Sequence, residues 1–259
     1  EELTGTPARL DDFHEAVAAE VRAVAPDLPI YFEPNAVRNF TDTLDVTSPV
    51  SFDNAVYAPH LYTGVFLGNW EVGQESRIES SIEQMVNEAE DHGAATWVGE
   101  FGHFPQSETG LAWIDAALDA MDAARLSWAF WVYEEWVGWC GADYCWGLYT
   151  SEEAEPEEGE ERGAVRTGTI QDAVDRVARP FPRAVDGRLE SIAYDVDTRV
   201  LVVEVSDGDG CHEFSAPKWT YPDGVQVKCD GVAVEHTVGE GAVGFTCAGS
   251  RFELGPAEG

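Results

Sequence analysis

Four short apolar runs, each closed by punctuation and separated by stretches of helical periodicity, limit this chain to a parallel α/β arrangement. They lie at residues 28–34, 55–62, 94–103 and 127–133. The third is the most telling. Ala94-Ala95-Thr96-Trp97-Val98 runs into Gly99-Glu100-Phe101-Gly102 and then a turn. A parallel strand has this texture because helices cover both of its faces. Between the runs, Leu10, Phe13, Val17, Val21 and Val24 recur at helical spacing after Thr6-Pro7, a cap residue and a first-turn proline. Ile78, Ile82, Met85, Val86 and Ala89 mark a second helix, closed near His92-Gly93. Leu111, Ile114, Leu118 and Met121 share one face of a third over 109–124, and residues 172–178 read as a last helix.

Strand and helix alternating at even spacing is the pattern of βα units. Four such strands fill about 180 residues, whereas a complete (β/α)₈ barrel takes roughly 250. The chain also opens on a helix. The expected fold class is therefore α/β, with residues 1–180 as the second half of a (β/α)₈ barrel whose N-terminal half is missing. Arg179-Pro180-Phe181-Pro182-Arg183 reads as a rigid linker. Beyond it, short alternating strands are separated by turn residues, so 181–259 is expected to be a small all-β sandwich.

Parallel α/β folds build active sites at the carboxyl ends of their strands. Those ends supply Glu33-Pro34, His60-Leu61-Tyr62, Gly99-Glu100-Phe101-Gly102 and Phe130-Trp131. Glu100 is either a catalytic carboxylate or a strand-end Glu satisfied by backbone N–H groups or an Arg. The glycines around it suggest room for a substrate to approach. His60 and Tyr62 are two apart on one strand and so point the same way. The loop 63–70, with Val65, Phe66 and Leu67, either packs on the barrel or forms an apolar wall for a lipid. Trp136, Trp139 and Trp146 either stack on sugars or fill the loop after the last strand.

These strand ends resemble glycoside hydrolase family 5, a family of retaining (β/α)₈ enzymes, and in particular its endoglycoceramidase-like branch. Tyr57-Ala58-Pro59-His60-Leu61-Tyr62 is similar to that branch's sixth strand. Residues 179–187 are similar to its join to a β domain, and Ala216-Pro217-Lys218-Trp219-Thr220-Tyr221-Pro222-Asp223-Gly224-Val225 to a segment within that domain. The resemblance implies Glu100 as nucleophile, with substrate-binding roles for His60, Tyr62, Trp131 and Glu33. Tyr62 would donate a hydrogen bond to the nucleophile, His60 would contact sugar hydroxyls, and Trp131 would form the floor under the ring. Retaining glycosidases use two carboxyl groups about 5–5.5 Å apart. The family's acid/base lies in an Asn-Glu pair at a strand end, and Asn87-Glu88 here falls inside a helix. Glu33 reads as a structural or substrate-rim residue, with acid/base work as the lesser alternative. The implied function is cleavage of a β-glycosidic bond in a carbohydrate or glycolipid. Its acid/base half would lie in the missing N-terminal half of the barrel, and the chain by itself would be inactive. A β-glucanase on the same fold is one alternative. The other is an inactive fragment whose β domain binds carbohydrate or packs.

No cofactor is expected, and no CxxC or His-rich spacing suggests a metal. Five cysteines leave at least one outside any intrachain pair, and Cys140 and Cys145 bracket a loop short enough to bridge. No apolar run is long enough for a transmembrane helix. The chain begins Glu1-Glu2-Leu3, without Met and without a visible signal peptide, so either a leader was removed or the sequence is a fragment. The expected location is secreted or extracellular, with the cytoplasm as the alternative. The 49 acidic residues outnumber 15 basic ones for a net charge of -34. That balance excludes a nucleic-acid partner, which would need basic patches. The acidic stretch 151–161 reads as a solvated loop rather than an ion or partner site. Charge spread along the whole chain suits a high-salt environment that screens self-repulsion. The melting temperature should therefore rise from dilute buffer to molar KCl; a flat or falling trend in a thermal scan would contradict this origin of the charge.

Overall fold

The computed structural model describes residues 7–43, 48–136, 140, 145–153, 166–206, 208 and 210–257. The chain divides into two compact units, Glu1–Gln171 and Asp172–Gly259. The division falls ahead of the proline-rich segment 179–183, not at the 180/181 boundary expected from sequence. Thr6, Trp139 and residues 154–161, to which the sequence reading gave a cap, a loop aromatic and most of an acidic loop, lie outside the described residues.

The first unit runs α1 (Pro7–Val24), β1 (Ile30–Phe32), α2 (Ala36–Thr41), β2 (Ala55–Tyr57), β3 (His60–Leu61), α3 (Glu75–His92), β4 (Ala95–Phe101), α4 (Glu108–Ala123) and β5 (Ser127–Phe130). The strands form one parallel sheet in the order β1-β2-β4-β3, with β5 also paired to β4. β6 (Glu134–Trp136), β7 (Tyr149–Glu153) and β8 (Arg166–Ile170) make a separate three-stranded sheet. The single strand expected over 55–62 is broken in two. Pro59 has no N–H to give to a ladder, and its carbonyl instead accepts from Gly99 N at 2.9 Å. Across the break the register slips: Tyr57 pairs with Thr96, but His60 pairs with Glu100.

Local chemistry sets the helix ends. The Ser107 side chain accepts from Gly110 N at 2.9 Å at the start of α4. Gly93 closes α3 in the left-handed region at φ 66°. Asn35 caps α2 by accepting from Arg38 N. Sequence periodicity did not reveal α2, because Ala36-Val37-Arg38-Asn39-Phe40-Thr41 is too short to carry an apolar stripe.

The expectation of half a (β/α)₈ barrel does not hold. The five parallel strands and the helices over them enclose a buried core of their own. Here Tyr57, Leu61, Val98 and Phe101 of the sheet and Ile78, Met85, Trp113, Ile114, Leu118 and Met121 of the helices have no accessible surface. α3 packs on β2 and β4, and α4 packs on α3. The architecture is a parallel core sheet followed by a separate small β domain. The apolar stripe of α1 is only partly used: Ala18 is buried, while Phe13, Val17 and Val24 remain exposed.

The second unit begins with a short helix, α5 (Val174–Val177), in place of the longer one expected over 172–178. Two antiparallel sheets follow. One comprises β10 (Arg188–Asp195), β11 (Val200–Ser206), β17 (Arg251–Pro256), β13 (Val225–Cys229) and β14 (Val232–Ala233). The other comprises β15 (His236–Gly239), β16 (Ala242–Thr246), β12 (Cys211–Ser215) and β9 (Phe181–Ala184). Alternate residues of both enter one core, including Leu201, Val203, Phe214, Val227, Val243, Phe252 and Leu254. A Cys229–Cys247 disulfide ties β13 to the segment after β16, and Cys211 is free and exposed. No described helix is long and apolar enough to cross a membrane.

Candidate active site

The site lies at the carboxyl end of the parallel sheet. In β4, Val98 and Phe101 are fully buried while Glu100 is partly exposed. The β3–β4 pairing sets His60 beside Glu100. His60 Nδ1 lies 3.2 Å from Glu100 Oε2, and His60 Nε2 lies 3.3 Å from Glu33 Oε2. Each contact is a hydrogen bond when the facing nitrogen carries a proton. Tyr62 Oη donates to the same Glu100 Oε2 at 2.8 Å. Burial first, then its hydrogen bond to Glu100 and that group's charge, push the Tyr62 phenol far above its usual range, so it stays a proton-bearing donor.

The sequence-predicted residues thus meet, though not all in the expected manner. Both His60 nitrogens face carboxylates, which leaves no free ring nitrogen for a sugar hydroxyl. Glu33 reaches Glu100 only through the His60 ring. Its hydrogen bond to His60 holds its carboxyl below the usual range, against the opposing effect of partial burial, and Asn39 adds to the lowering. A general acid needs the reverse, a carboxyl that keeps its proton near neutral pH. The imidazole also fills the gap in which an inverting enzyme would place its water. Trp131, 48% exposed, stands at the end of β5, with its backbone N–H donating to Phe101 O at 2.8 Å.

The glycines serve a different purpose from the one their sequence position suggests. A Cβ on Gly102 would fall 2.2 Å from the Trp131 carbonyl oxygen, and one on Gly99 would fall 2.8 Å from Ala58 O and 3.2 Å from the His60 ring. They make room for neighbouring protein strands rather than for a substrate.

Several supports were not legible in the sequence. The buried Asn39 of α2 accepts from His60 N at 3.0 Å through its side-chain oxygen. Next to it, Arg38 is fully buried and donates from Nε to Glu88 of α3 at 2.8 Å. Tyr57 Oη also donates to Glu88, at 3.0 Å. Asp42, just past α2, accepts from Thr63 and Ser81. These links fix α2 against α3 and so fix Asn39 under His60.

A ring cluster adjoins the site. Trp146 lies edge-on to Tyr62 with centroids 5.7 Å apart, and Phe66 contacts Tyr62 at 4.9 Å. His103, just beyond β4, accepts from Phe104 N at 2.8 Å through Nδ1, and burial pushes its imidazole down to about 4. Glu135, Cys140 and Cys145 bring potential metal-ligand atoms within 4.8 Å of one another. The two cysteines form a disulfide, however, so they offer no thiolates to an ion.

A model of the cellulase family, glycosyl hydrolase family 5, matches residues 3–135, and a model of the glycoside hydrolase family 5 C-terminal domain matches residues 179–247. The chain belongs to glycosyl hydrolase family 5. Among solved structures, endo-glycoceramidase II from Rhodococcus sp., in a ganglioside GM3 complex, is similar with a TM-score of 0.75 and 16% identity. The same enzyme as a lactosyl-enzyme intermediate gives 0.73 and 17%. In both, the match covers 100% of this chain and 56% of theirs, so the chain spans about half their length. Sterylglucosidase 1 from Cryptococcus neoformans is similar at a TM-score of 0.67 and 15% identity, covering 95% of this chain and 44% of that one. No curated protein matches. The family models take in the chain from residue 3 to 135 and again from 179 to 247. They match the first stretch to the cellulase family and the second to the C-terminal domain that goes with it, which corrects the reading of the whole chain as a C-terminal portion. The expectation of an absent acid/base half loses its support with that reading.

His103 supplies a test by pH. Its folded pKa, about 4, lies below the ordinary 6.5. Between those values the unfolded chain binds the proton and the folded chain does not, so stability rises with pH across that window. The benefit is complete above pH 6.5 and is lost as pH falls toward 4. Urea midpoints measured over this range should fall more steeply for the wild type than for His103→Gln; parallel curves would contradict the assignment.

Proposed function

We propose that this chain is a retaining glycosidase in which Glu100 is the nucleophile. The observation that carries the reading is the convergence of Tyr62 Oη and His60 Nδ1 on one oxygen of Glu100, Oε2. That leaves Oε1 to attack. Glu100 attacks the anomeric carbon; the aglycone leaves with the electrons of the broken C–O bond and takes up a proton from solvent, and a covalent glycosyl-enzyme forms. Water then attacks the same carbon, gives up a proton to solvent and frees the carboxylate. Tyr62 orients the carboxylate before attack and stays protonated throughout. The half-exposed Trp131 offers its ring as a floor for the sugar. Glu33 and Asn39 hold His60.

A glycolipid substrate is the reading favoured by a second observation. Phe66 is 54% exposed and packs against both Tyr62 and Phe40. With the exposed Leu67 it puts an apolar wall beside the nucleophile's support. The solved structures of similar fold, an endo-glycoceramidase in a ganglioside GM3 complex and a sterylglucosidase, support the same reading.

A fluorinated dinitrophenyl glycoside tests the nucleophile directly. The fluorine slows both steps, while the leaving group needs no proton from an acid, so the glycosyl-enzyme accumulates. Digestion and mass analysis should find the sugar on the peptide carrying Gly99-Glu100-Phe101. Glu100→Gly should abolish turnover of the non-fluorinated aryl glycoside, and azide should restore it with inversion, since the small anion fills the vacated space. A sugar on another carboxylate, or full activity in Glu100→Gly, would overturn the proposal.

A further inference from the structure

Trp146 sits where three loops meet. Its ring is nearly parallel to Phe66, at 5.7 Å and 24°, and to His103, at 6.5 Å and 25°. It stands edge-on to Phe104 at 5.0 Å and to Tyr62 at 5.7 Å. It also packs over the turn after Glu100: a Cβ on Gly102 would come 3.4 Å from the indole. From its own side the residue is pinned twice. Its backbone N–H donates to the Glu135 carboxylate at 2.5 Å, and the preceding Cys145, fully buried, is bonded to Cys140.

A sugar platform needs an open ring face, as Trp131 has. Trp146 instead has two rings lying alongside it and an edge against the phenol that holds the nucleophile. Among the described residues, Tyr62 Oη has no polar contact other than Glu100. A ring tethered at one end by one hydrogen bond needs packing to restrict its rotamers.

We propose that Trp146, locked by the Cys140–Cys145 disulfide and by Glu135, is a positioning residue that holds Tyr62 on Glu100. This rests on the reading of Glu100 as nucleophile. The disulfide then acts at a distance on the chemistry. It fixes Cys145, Cys145 fixes the adjoining indole, and the indole fixes the phenol. Loosening any link costs orientation of the attacking carboxylate without removing a group that touches substrate.

The test compares wild type, Trp146→Leu, Trp146→Phe, Tyr62→Phe, the Trp146→Leu/Tyr62→Phe pair and the Cys140→Ser/Cys145→Ser pair. Two readouts are taken: kcat and KM on a dinitrophenyl glycoside, and the rate of carbodiimide-driven amine coupling to Glu100, followed by peptide mass. Trp146→Leu and the double serine variant should lower kcat about tenfold, the scale of a weakened hydrogen bond to a charged group, with KM nearly unchanged. Trp146→Phe should recover most of that loss. In the Tyr62→Phe background Trp146→Leu should add nothing, because it acts through the hydroxyl already removed. Coupling to Glu100 should quicken in Trp146→Leu and in the double serine variant as it does in Tyr62→Phe. Additive losses, a rise in KM with kcat intact, or wild-type coupling rates in the loosened variants would overturn the proposal. Where Trp146→Leu does not fold, Trp146→Phe and the serine pair carry the comparison. Coupling needs no turnover: quickened coupling in a protein that cleaves no glycoside sinks the glycosidase reading and keeps the strut, and normal turnover with unchanged coupling does the reverse.

Discussion

Parallel pairing of β3 with β4 places His60 beside Glu100 and Leu61 beside Phe101, and the rest of the site follows from that register. Side chains alternate across a strand. Leu61 and Phe101 go inward and are fully buried. Their neighbours in sequence, His60, Tyr62 and Glu100, are thereby turned to the other side together. The apolar half of the alternation supplies the anchoring, and the polar half supplies the chemistry. A slip of one residue would exchange the two faces. The break at Pro59 and the bare Cα of Gly99 let the strands reach this register, since the His60 ring and the Ala58 carbonyl occupy the space a side chain at 99 would need.

Around that pairing the molecule has built two supports of different character. One is polar and buried: Arg38, Glu88 and Tyr57 lock α2 to α3, and Asn39 on α2 then holds the His60 backbone. Buried ion pairs contribute little net stability but penalise any rearrangement that separates them, which suits a group that must fix a geometry. The other is aromatic and lies near the surface, where Trp146 and Phe66 pack against Tyr62 and His103 lies alongside Trp146. Together they leave the Glu100 carboxylate between a histidine and a phenol, in a chain whose charge of -34 would otherwise disfavour another anion.

Much of this was legible in the sequence. Period-two spacing was enough to say that His60 and Tyr62 share a side, and strand-end position was enough to single out Glu100 and Trp131. What lay hidden was everything that depends on tertiary contact. Asn39 sits on a six-residue helix with no periodic signature. Trp146 was one tryptophan among several in a loop, and only its ring neighbours separate a strut from a platform. The Cys229–Cys247 bond joins segments 18 residues apart, a pairing that sequence spacing alone does not select. The half-barrel expectation arose from counting strands against the usual length of a closed barrel. A count of that kind says nothing of how the helices cover the sheet that is present. The stripe on α1 erred in the opposite direction, since periodicity reported an apolar face without reporting whether a partner covers it.

Attack on the sugar by Glu100, followed by displacement of the carboxylate by water, would have a stereochemical consequence. Two successive displacements at one carbon restore its configuration. Proton NMR of the anomeric signal in the first minutes of hydrolysis, before mutarotation, reads the outcome directly. The sugar first released should have the same anomeric configuration as the substrate; initial release of the opposite anomer would rule out a double displacement at Glu100.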